Sequence, residues 1–449
     1  MRRMNAALAC LPFLVAAPVA THAAIFNVNP GPVGLQLAVD IARNQPGSHE
    51  IRLRSGTHGP ASLPSLTNSI AISGGWNASF TQRSTDATLT RIDGNDASIG
   101  LRVDTTAAGS QLVVEGLTIT HGFSTEPLVG AAVHVIGVNG EVRLDNLRLV
   151  ANRHLDGNGQ QSGPGGASFR TLPGGHLVLS NSTISNNVVS SVSFDAPRRC
   201  FAGALFASAE GGTLEIRSNA VRANQIAATC KSSEGTAAWL SAFGSGLVFE
   251  DNLVRGNLSN GPGGAVIQVL AADATGSVTL RRNRLLDNRL VGGTLPLRHV
   301  VLHASDGARI LLTDSLLAAS PTLGGGVLIS NATGGILRLT NNTIADHQNL
   351  GVHLCNTGGN VSLANSIVSG NGTEVTVCGG SAPANQVANF IGGNPRFRNP
   401  AQLDYRLKPN SAAINSGSNN PPGGLGPLDL ARTARKKGPK VDRGAYELP

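Results

Sequence analysis

Apolar and polar residues alternate in a short pattern that recurs along the chain. Each copy begins with two apolar residues separated by one residue of any type. Two variable positions follow, the second of which is often Asn or Asp, and then come an apolar residue and a second Asn. Alternation with a period of two is typical of a β-strand with one buried face. Weaker copies start at Ile51, Ile70 and Leu112. The eight clear copies are VRLDNLRLVAN (from Val142), LVLSNSTISNN, LEIRSNAVRAN, LVFEDNLVRGN, VTLRRNRLLDN, ILLTDSLLAAS, LRLTNNTIADH and VSLANSIVSGN.

The spacing of these copies, 24 to 37 residues, predicts a coil. One short strand cannot bury an apolar face alone, but copies stacked on one another bury it together. The spacing fits two or three strands per turn. We therefore predict an all-β fold, a right-handed parallel β-helix whose rungs stack ~4.8 Å apart. Leu177, Leu214 and Leu247 should then lie one above another.

A second strand opening with glycine precedes each copy, as in GAAVHVIG from Gly130 and GGAVIQVL from Gly263. Glycine there allows neighbouring turns of the coil to approach closely. Asn recurs in two columns, which predicts stacked turns with amides bonded from rung to rung. The columns are Asn146, Asn181, Asn341 and Asn365, and Asn152, Asn187, Asn224, Asn257, Asn288 and Asn371.

Both ends of the chain depart from the repeat. The first residues combine two arginines, an apolar run and small residues, which predicts a secretory signal peptide. Helical spacing of apolar residues within 32–44 predicts a short amphipathic capping helix. The last residues lose the repeat and gain Pro and Gly, which predicts an irregular C-terminal cap. The expected divisions are a signal peptide at 1–23, an N-terminal cap at 24–50, the β-helix at 51–371 and the closing segment at 372–449.

Composition and charge exclude simple disorder and limit the partners. Of 449 residues, 41% are hydrophobic and 14% are charged, against ~25% charged in ordinary domains. Loss of the signal peptide lowers the net charge from +8 to +6, and a basic cluster lies between Leu430 and Gly444. Such a cluster attracts anionic polymers, although a solvated tail is the simpler interpretation. No nucleic-acid motif and no later apolar segment long enough to span a membrane is found. We therefore expect neither a nucleic-acid partner nor a transmembrane segment.

The four cysteines of the mature chain predict two disulfides. Cys200 and Cys230 are 30 residues apart, and Cys355 and Cys378 are 23 apart, each close to one rung. Equivalent points on neighbouring rungs lie within the ~4.4–6.8 Å Cα separation of a disulfide, and export favours oxidation. A zinc site is the alternative, disfavoured because no CxxC and no paired His occur nearby. We expect no metal and no cofactor.

A charged cluster is the candidate for catalysis. Asp251, Arg282 and Asp314 take turn positions on successive rungs, beside Glu250 and Arg281. Enzymes of the β-helix type use carboxylates clustered with Arg or Lys for acid–base chemistry or Ca²⁺ binding. The alternating sign favours a structural ion-pair ladder over an active site.

Three aromatic residues are candidates for ligand binding. Phe169, Phe206 and Trp239 each precede the next repeat by eight residues, which predicts one column over three rungs. Stacking in the interior is the simpler expectation. Facing outward, they would instead form a platform for sugar rings.

The closing segment resembles the C-terminal region of the bacterial choice-of-anchor Q family. The similarity lies in NPRFRNPAQLDYRLKPNSAAINSG from Asn394 and PLDLARTARKKGPKVDRGAYE from Pro427, with DRGAYE the most specific part. ISGGWNASF and TRIDGN, between Ile72 and Asn95, are similar to the start of such proteins. The resemblance implies an exported right-handed β-helix and no characterised reaction.

These observations favour an exported, non-catalytic β-helix, periplasmic, secreted or on the outer surface. It would present a lateral surface to a polysaccharide, a cell surface or another protein, as an adhesin does. The alternative is a polysaccharide lyase, hydrolase or epimerase acting through the charged cluster, and a third is a structural component of the envelope. Fold analogy alone raises the enzyme hypothesis. The oligomeric state stays open.

Overall fold

A computed structural model describes residues 23–156, 162–191, 199–227, 229–230, 232–260, 264–290, 298–320, 325–331, 334–378 and 384–448. The predicted signal peptide lies almost wholly outside these residues and stays a prediction. No helix in the described part of the chain is long and apolar enough to cross a membrane.

The chain winds into a right-handed parallel β-helix, as the repeat predicts. The turns carry strands on faces A, B and D, and the middle turns also carry a strand on face C; strands within a face pair in parallel.

Face A contains Ile25–Val28, Ser48–Arg54, Ser69–Trp76, Gln111–Thr120, Glu141–Val150, His176–Ser180, Thr213–Arg217, Gly246–Glu250, Ser277–Arg281, Arg309–Thr313, Ile336–Thr340, Asn360–Ala364 and Asn385–Val387. Gln111–Thr120 and Glu141–Val150 continue into face B. The other strands of face B are Gly56–His58, Thr90–Asp93, Thr183–Ser185, Ala220–Arg222, Leu253–Arg255, Arg284–Leu286, Leu316–Ser320, Thr343–His347, Ile367–Ser369 and Phe390–Ile391.

Face C is short and contains Phe123–Ser124, Arg153–Asp156, Val188–Ser191, Gln225–Ile226, Leu258–Ser259 and Arg289–Leu290. Face D contains Ala61–Leu63, Leu101–Val103, Val133–Val138, Ala167–Thr171, Leu205–Glu210, Ser232–Phe243, Gly264–Ala272, Arg298–Ala304, Gly325–Asn331, Leu350–Asn356 and Thr373–Val377. Arg199–Phe201 also pairs with Ser232–Phe243.

The register of face A confirms the predicted stacking. Leu177 pairs with Leu214, which pairs with Leu247, and all three are buried. The same column continues through Val278, Ile310, Leu337 and Val361. The inward residues of all the rungs form one continuous apolar core, so burial along the whole coil stabilises each strand.

Side-chain amides stack from rung to rung inside the turns, as predicted. In one of the two columns, however, the stacked residues are not the predicted ones. In the column of Asn152, Asn187, Asn224, Asn257 and Asn288, each Nδ2 of the first four donates to the next Oδ1 at 2.9 to 3.0 Å. Asn146, Asn181, Asn341 and Asn365 take a left-handed backbone, with φ of 50 to 55°. In the turns between faces A and B, the stacked side chain belongs to the residue that follows the left-handed position. An example is Asn219, whose Nδ2 donates to Asn252 Oδ1 at 3.1 Å. A residue with positive φ leaves room for the next side chain to point inward.

The N-terminal helix, Gly34–Arg43, buries Leu35, Ala38, Val39 and Ala42. Gln36 joins it to face D, since its Nε2 donates to the Ser62 carbonyl at 3.1 Å and its Oε1 accepts from Ser62 N at 2.7 Å. Ile25–Val28 already pairs with Ser48–Arg54, so the coil begins within the region expected to be a cap.

The coil also continues beyond the boundary expected at residue 371. Thr373–Val377, Asn385–Val387 and Phe390–Ile391 add to faces D, A and B. The chain from 392 then folds back along the exposed side of face B, because that side is apolar there. The apolar residues of face B are Leu286, Leu316, Ala318, Ala345 and Ile367, and those of the segment include Phe397, Tyr405, Leu407, Ala413, Leu430 and Ala445.

The residues that carry the family resemblance hold the closing segment in place. Tyr405 donates to Asp346 Oδ2 at 2.7 Å, and Ala445 N donates to Thr343 Oγ1 at 3.0 Å. Asp442 accepts backbone N–H groups at both carboxylate oxygens. Within DRGAYE, Ala445 therefore attaches the segment to the coil, and Asp442 holds the segment's own backbone together.

Candidate functional site

The charged cluster lies at the turns between faces A and B. Asp251, Arg282 and Asp314 all follow a face A strand and take a left-handed backbone, with φ of 50 to 57°. Each turn donates its N–H to the carbonyl of the next rung, which fixes the three residues in one column. The structure thus brings the predicted cluster together.

Opposite charges alternate through the cluster. Arg282 Nε lies 2.9 Å from Asp251 Oδ1, and its Nη2 lies 3.0 Å from Oδ2. The same guanidinium contacts Glu250, which also pairs with Arg281 at 2.6 Å. Glu250 and Arg282 are each only 7% exposed. Their charges therefore neutralise one another.

The closing segment covers this cluster with two further arginines. Arg432 Nη2 lies 3.1 Å from Asp251 Oδ2, and Arg435 Nη1 lies 3.5 Å from Asp314 Oδ1. Burial raises the pKa of Asp314 to about 6, against the opposing effect of Arg435. The sequence places both arginines in the basic cluster between Leu430 and Gly444, for which a solvated tail is the simpler interpretation. It does not predict their contacts with Asp251 and Asp314, which lie more than a hundred residues away along the chain. The geometry is that of a structural ion-pair ladder joining the closing segment to the coil.

The predicted aromatic column does not form. Phe169 is fully buried and pairs with Ala207, whereas Phe206 pairs with Ser168 and with Trp239. The predicted register is wrong by one residue. The segment 172–175, which links face D to face A, is one residue longer than the equivalent segment 210–212 on the next rung. Phe206 and Trp239 are half-buried on face D, and Phe201 packs edge-on against Trp239 at 4.8 Å.

The cysteines pair as predicted, Cys200 with Cys230 and Cys355 with Cys378. Their Cα separations are 5.7 and 4.9 Å. Sequence reasoning missed His353, whose Nε2 lies 3.1 Å from Cys378 Sγ. The signal was available, because residues two apart on a strand share one face. With both sulfur atoms in a disulfide, this trio has no thiolate to offer a metal.

A Ser–His–Asp array on face D is closed to substrate. Ser168 Oγ lies 2.6 Å from His134 Nδ1, and His134 Nε2 lies 3.9 Å from Asp104. Ser168 is fully buried and also accepts a hydrogen bond from Gly130 N at 2.9 Å. Burial lowers the pKa of His134 to about 4. A nucleophile needs access to its substrate, so these side chains join neighbouring rungs instead.

Face B carries a row of arginines on its exposed side, which we name the arginine face. Within the described residues, none of the five has an acidic oxygen within 4 Å. They span six rung-to-rung steps, or about 29 Å at the usual strand spacing. Hydroxyl groups of Thr118, Thr183 and Ser185 lie between them on the same face. The five are Arg91, Arg148, Arg222, Arg255 and Arg284.

Two walls border the arginine face. At one end the loop 77–89 is attached by Thr118 Oγ1, which donates to the Ala87 carbonyl at 2.8 Å, and by Asn146 Nδ2, which donates to the Thr85 carbonyl at 2.7 Å. Toward the other end the closing segment runs beside the row, since Arg432 Nη2 donates at 3.0 Å to Ser218 Oγ, on the same rung as Arg222. Arg222 and Arg255 are register neighbours, both exposed. Like charges stacked in this way repel each other and favour an anionic ligand.

A pocket of about 300 Å³ lies beside the loop 77–89, at the start of the arginine face. Arg91, Arg148 and His121 line it together with three threonines. His121 Nδ1 lies 3.2 Å from both carboxylate oxygens of Asp93. Sequence reasoning missed this pair, since the two residues belong to neighbouring rungs, with Asp93 at the end of a strand of face B and His121 in the turn after the next strand of that face.

Comparisons with known proteins support the fold and go no further. No family model and no curated protein matches the chain. The solved structure of pectate lyase Pel9A is similar, with a TM-score of 0.51 and 13% identity over 96% of this chain and 97% of that one. The A-module of the mannuronan C-5 epimerase AlgE6 from Azotobacter vinelandii has a TM-score of 0.41 and 14% identity, covering 82% of this chain and 100% of that one. At such identities the likeness concerns architecture alone.

Proposed function

We propose that the protein is exported and binds an acidic polysaccharide along the arginine face. The observation that carries this proposal is the row of five arginines, none of which has an acidic oxygen within 4 Å among the described residues, extended over six rung-to-rung steps between two walls. Guanidinium groups bind carboxylates through paired hydrogen bonds, and neighbouring hydroxyls suit the hydroxyls of sugars. An extended polyanion with regularly spaced charges matches such a row better than a small ligand does.

Several features support this choice of ligand. The mature chain has a net charge of +6, and the predicted signal peptide and the two disulfides fit an exported protein, where polysaccharides are encountered. Pectate, from which one structural neighbour takes its name, is an acidic polysaccharide. The closing segment, which we propose to be of the choice-of-anchor Q type, forms one wall of the groove.

The alternative of catalysis at Glu250, Asp251, Arg281, Arg282 and Asp314 has less support. An active site needs charges that are free to meet a substrate, whereas this cluster is paired internally and covered by Arg432 and Arg435. Phe206 and Trp239 stay candidates for a secondary contact with sugar rings on face D.

The test is a binding measurement with de-esterified polygalacturonate by isothermal titration calorimetry. We expect Arg222→Glu/Arg255→Glu to weaken binding roughly tenfold or more, because two contacts of about 0.5–1 kcal/mol are lost and two repulsions are added. The matched control is Arg143→Glu/Arg309→Glu, which makes the same change in net charge at two exposed positions on face A, away from the arginine face. Binding that is absent in the wild-type protein, or equally weakened by both variants, would contradict the proposal.

A further inference from the structure

His121 occupies a position where other rungs place smaller or acidic side chains. It follows Gln111–Thr120 at the turn between faces B and C, with a left-handed backbone (φ 49°). Non-glycine residues rarely adopt this conformation. Because the neighbouring rung has only a methyl group there, the imidazole stays accessible, with its side chain 44% exposed. The equivalent positions on the following rungs are Ala151, Asn186, Ala223, Gly256 and Asp287.

Asp93 orients the ring of His121. Asp93 ends the strand on the preceding rung, in register with Thr120, and its Oδ1 accepts from Asn95 N at 2.9 Å. Both of its oxygens lie 3.2 Å from His121 Nδ1. A carboxylate only accepts hydrogen bonds, so the shared proton belongs to Nδ1. The neutral ring then offers a lone pair at Nε2, which is the arrangement of a general base with its orienting carboxylate.

The surroundings of this base suit one kind of substrate. Arg91 and Arg148 line the same pocket as His121, and Thr88, Thr118 and Thr120 complete its polar wall. An arginine bound to the carboxylate of a uronate residue withdraws electron density from it. The hydrogen on the carbon next to that carboxylate, C5, thereby becomes more acidic. The imidazole base and the arginines that would bind the uronate carboxylate thus line the same pocket.

A purely structural role explains this pair poorly. Both side chains are partly exposed, 44% for His121 and 23% for Asp93. An ion pair at such exposure contributes little to stability. The fold does not need an imidazole at this turn either, because alanine or glycine occupies it on other rungs.

We propose that the pocket around His121 is a catalytic centre that cleaves a uronate polymer by β-elimination. This inference rests on the proposed binding of an acidic polysaccharide along the arginine face. His121 Nε2 takes the proton from C5, and the electrons of the C5–H bond form the double bond between C4 and C5. The C4–O bond breaks, and its electrons leave with the glycosidic oxygen, which takes a proton from water. His121 then returns its proton to solvent, so no oxidant and no net water is consumed.

The experiment measures binding and turnover on the same protein, with polygalacturonate and alginate as probes. Turnover is followed by the ultraviolet absorbance of the unsaturated uronate and by exchange of the C5 hydrogen in D₂O. We expect unsaturated products from the wild-type protein. His121→Ala should lower turnover at least ~100-fold, the usual contribution of a general base, and change binding less than about twofold. The matched control is Asn186→Ala at the equivalent turn, which should leave both unchanged.

Asp93→Asn keeps the size of the side chain and tests the orienting role without depending on the folding of the His121 variant. It should lower kcat more than it raises KM, because the ring loses its fixed tautomer while the arginines remain. Binding without unsaturated product from either polymer would overturn this inference and leave the proposed function standing. C5 exchange without cleavage, or full turnover by His121→Ala, would also overturn it. Absence of binding would instead contradict the proposed function.

Discussion

The guanidinium of Arg282 lies against the carboxylate of Asp251 on the neighbouring rung, with two bonds of 2.9 and 3.0 Å. Because Arg432 of the closing segment binds the same carboxylate, this pair couples the coil to the segment that covers it. Removing one partner of a buried pair leaves an uncompensated charge, which typically costs about 3–5 kcal/mol. We therefore expect Arg282→Ala to lower the free energy of unfolding by about that amount, measured in urea.

Arg281→Ala provides the control for this prediction. Its side chain is 35% exposed, so the loss should be about 1 kcal/mol or less. Limited proteolysis should also release the closing segment sooner in Arg282→Ala than in Arg281→Ala. Equal stability of the two variants would contradict the structural interpretation of the ladder.

Buried histidines make the fold sensitive to acid. His154 accepts from Gly163 N at 2.8 Å, and burial lowers the pKa of His154 to about 4. The unfolded chain, with an ordinary pKa of about 6.5, binds the proton first, so stability is lost as the pH falls from about 6.5 to about 4. His134 and His347 act in the same direction, with pKa values of about 4. Burial also lowers the pKa of the fully buried His299 in the same direction, whereas the pKa of Asp314, raised to about 6, acts against these histidines.

The measurement for this prediction is the melting temperature between pH 4 and 7. His154→Gln should flatten the profile, since one such group contributes up to ~1.4 kcal/mol per pH unit. A slope that is the same in His154→Gln and in the wild type would refute the assignment.

The sequence allowed the coil to be predicted because one-sided burial imposes a period of two. Leu177, Leu214 and Leu247 had to share a face, and the rung length placed Cys200 near Cys230. Residues fixed by turn length were less predictable. Phe169 faces the core because its turn is longer by one residue, and a slip of one residue changes the face of a strand.

Contacts made by irregular segments could not be predicted from the repeat. Arg432 and Arg435 reach the ladder only because the closing segment folds back along face B, a path that no periodicity encodes. The pair of His121 and Asp93 likewise depends on the left-handed turn at His121, which brings its ring to the end of the strand on the neighbouring rung. The parts of the candidate site that matter most for chemistry are therefore those with the weakest sequence signal.

Each disulfide should stabilise the coil by restricting the unfolded chain. Closing loops of 30 and 23 residues is expected to contribute about 3–4 kcal/mol each in the chain-entropy model. Cys200→Ser/Cys230→Ser should lower the free energy of unfolding by about this amount, and Cys355→Ser/Cys378→Ser by slightly less. Peptide mapping without reductant should recover only the two predicted pairs. Free thiols, or crossed pairs, would contradict the assignment.

The buried amide ladder should tolerate substitution far less than the turn beside it. Asn224 donates to Asn257 Oδ1 at 3.0 Å and to the Ile184 carbonyl at 2.9 Å, and its Oδ1 accepts two bonds from Asn187. Asn224→Leu removes all four and leaves several buried polar groups unpaired, each at about 1–3 kcal/mol, so we expect a loss of at least ~3 kcal/mol in urea unfolding. Asn186→Gly, at the exposed left-handed position just before Asn187, should change stability by less than ~1 kcal/mol because glycine accepts that backbone. Similar losses in both variants would show that the stacked amides contribute no more than an ordinary turn residue.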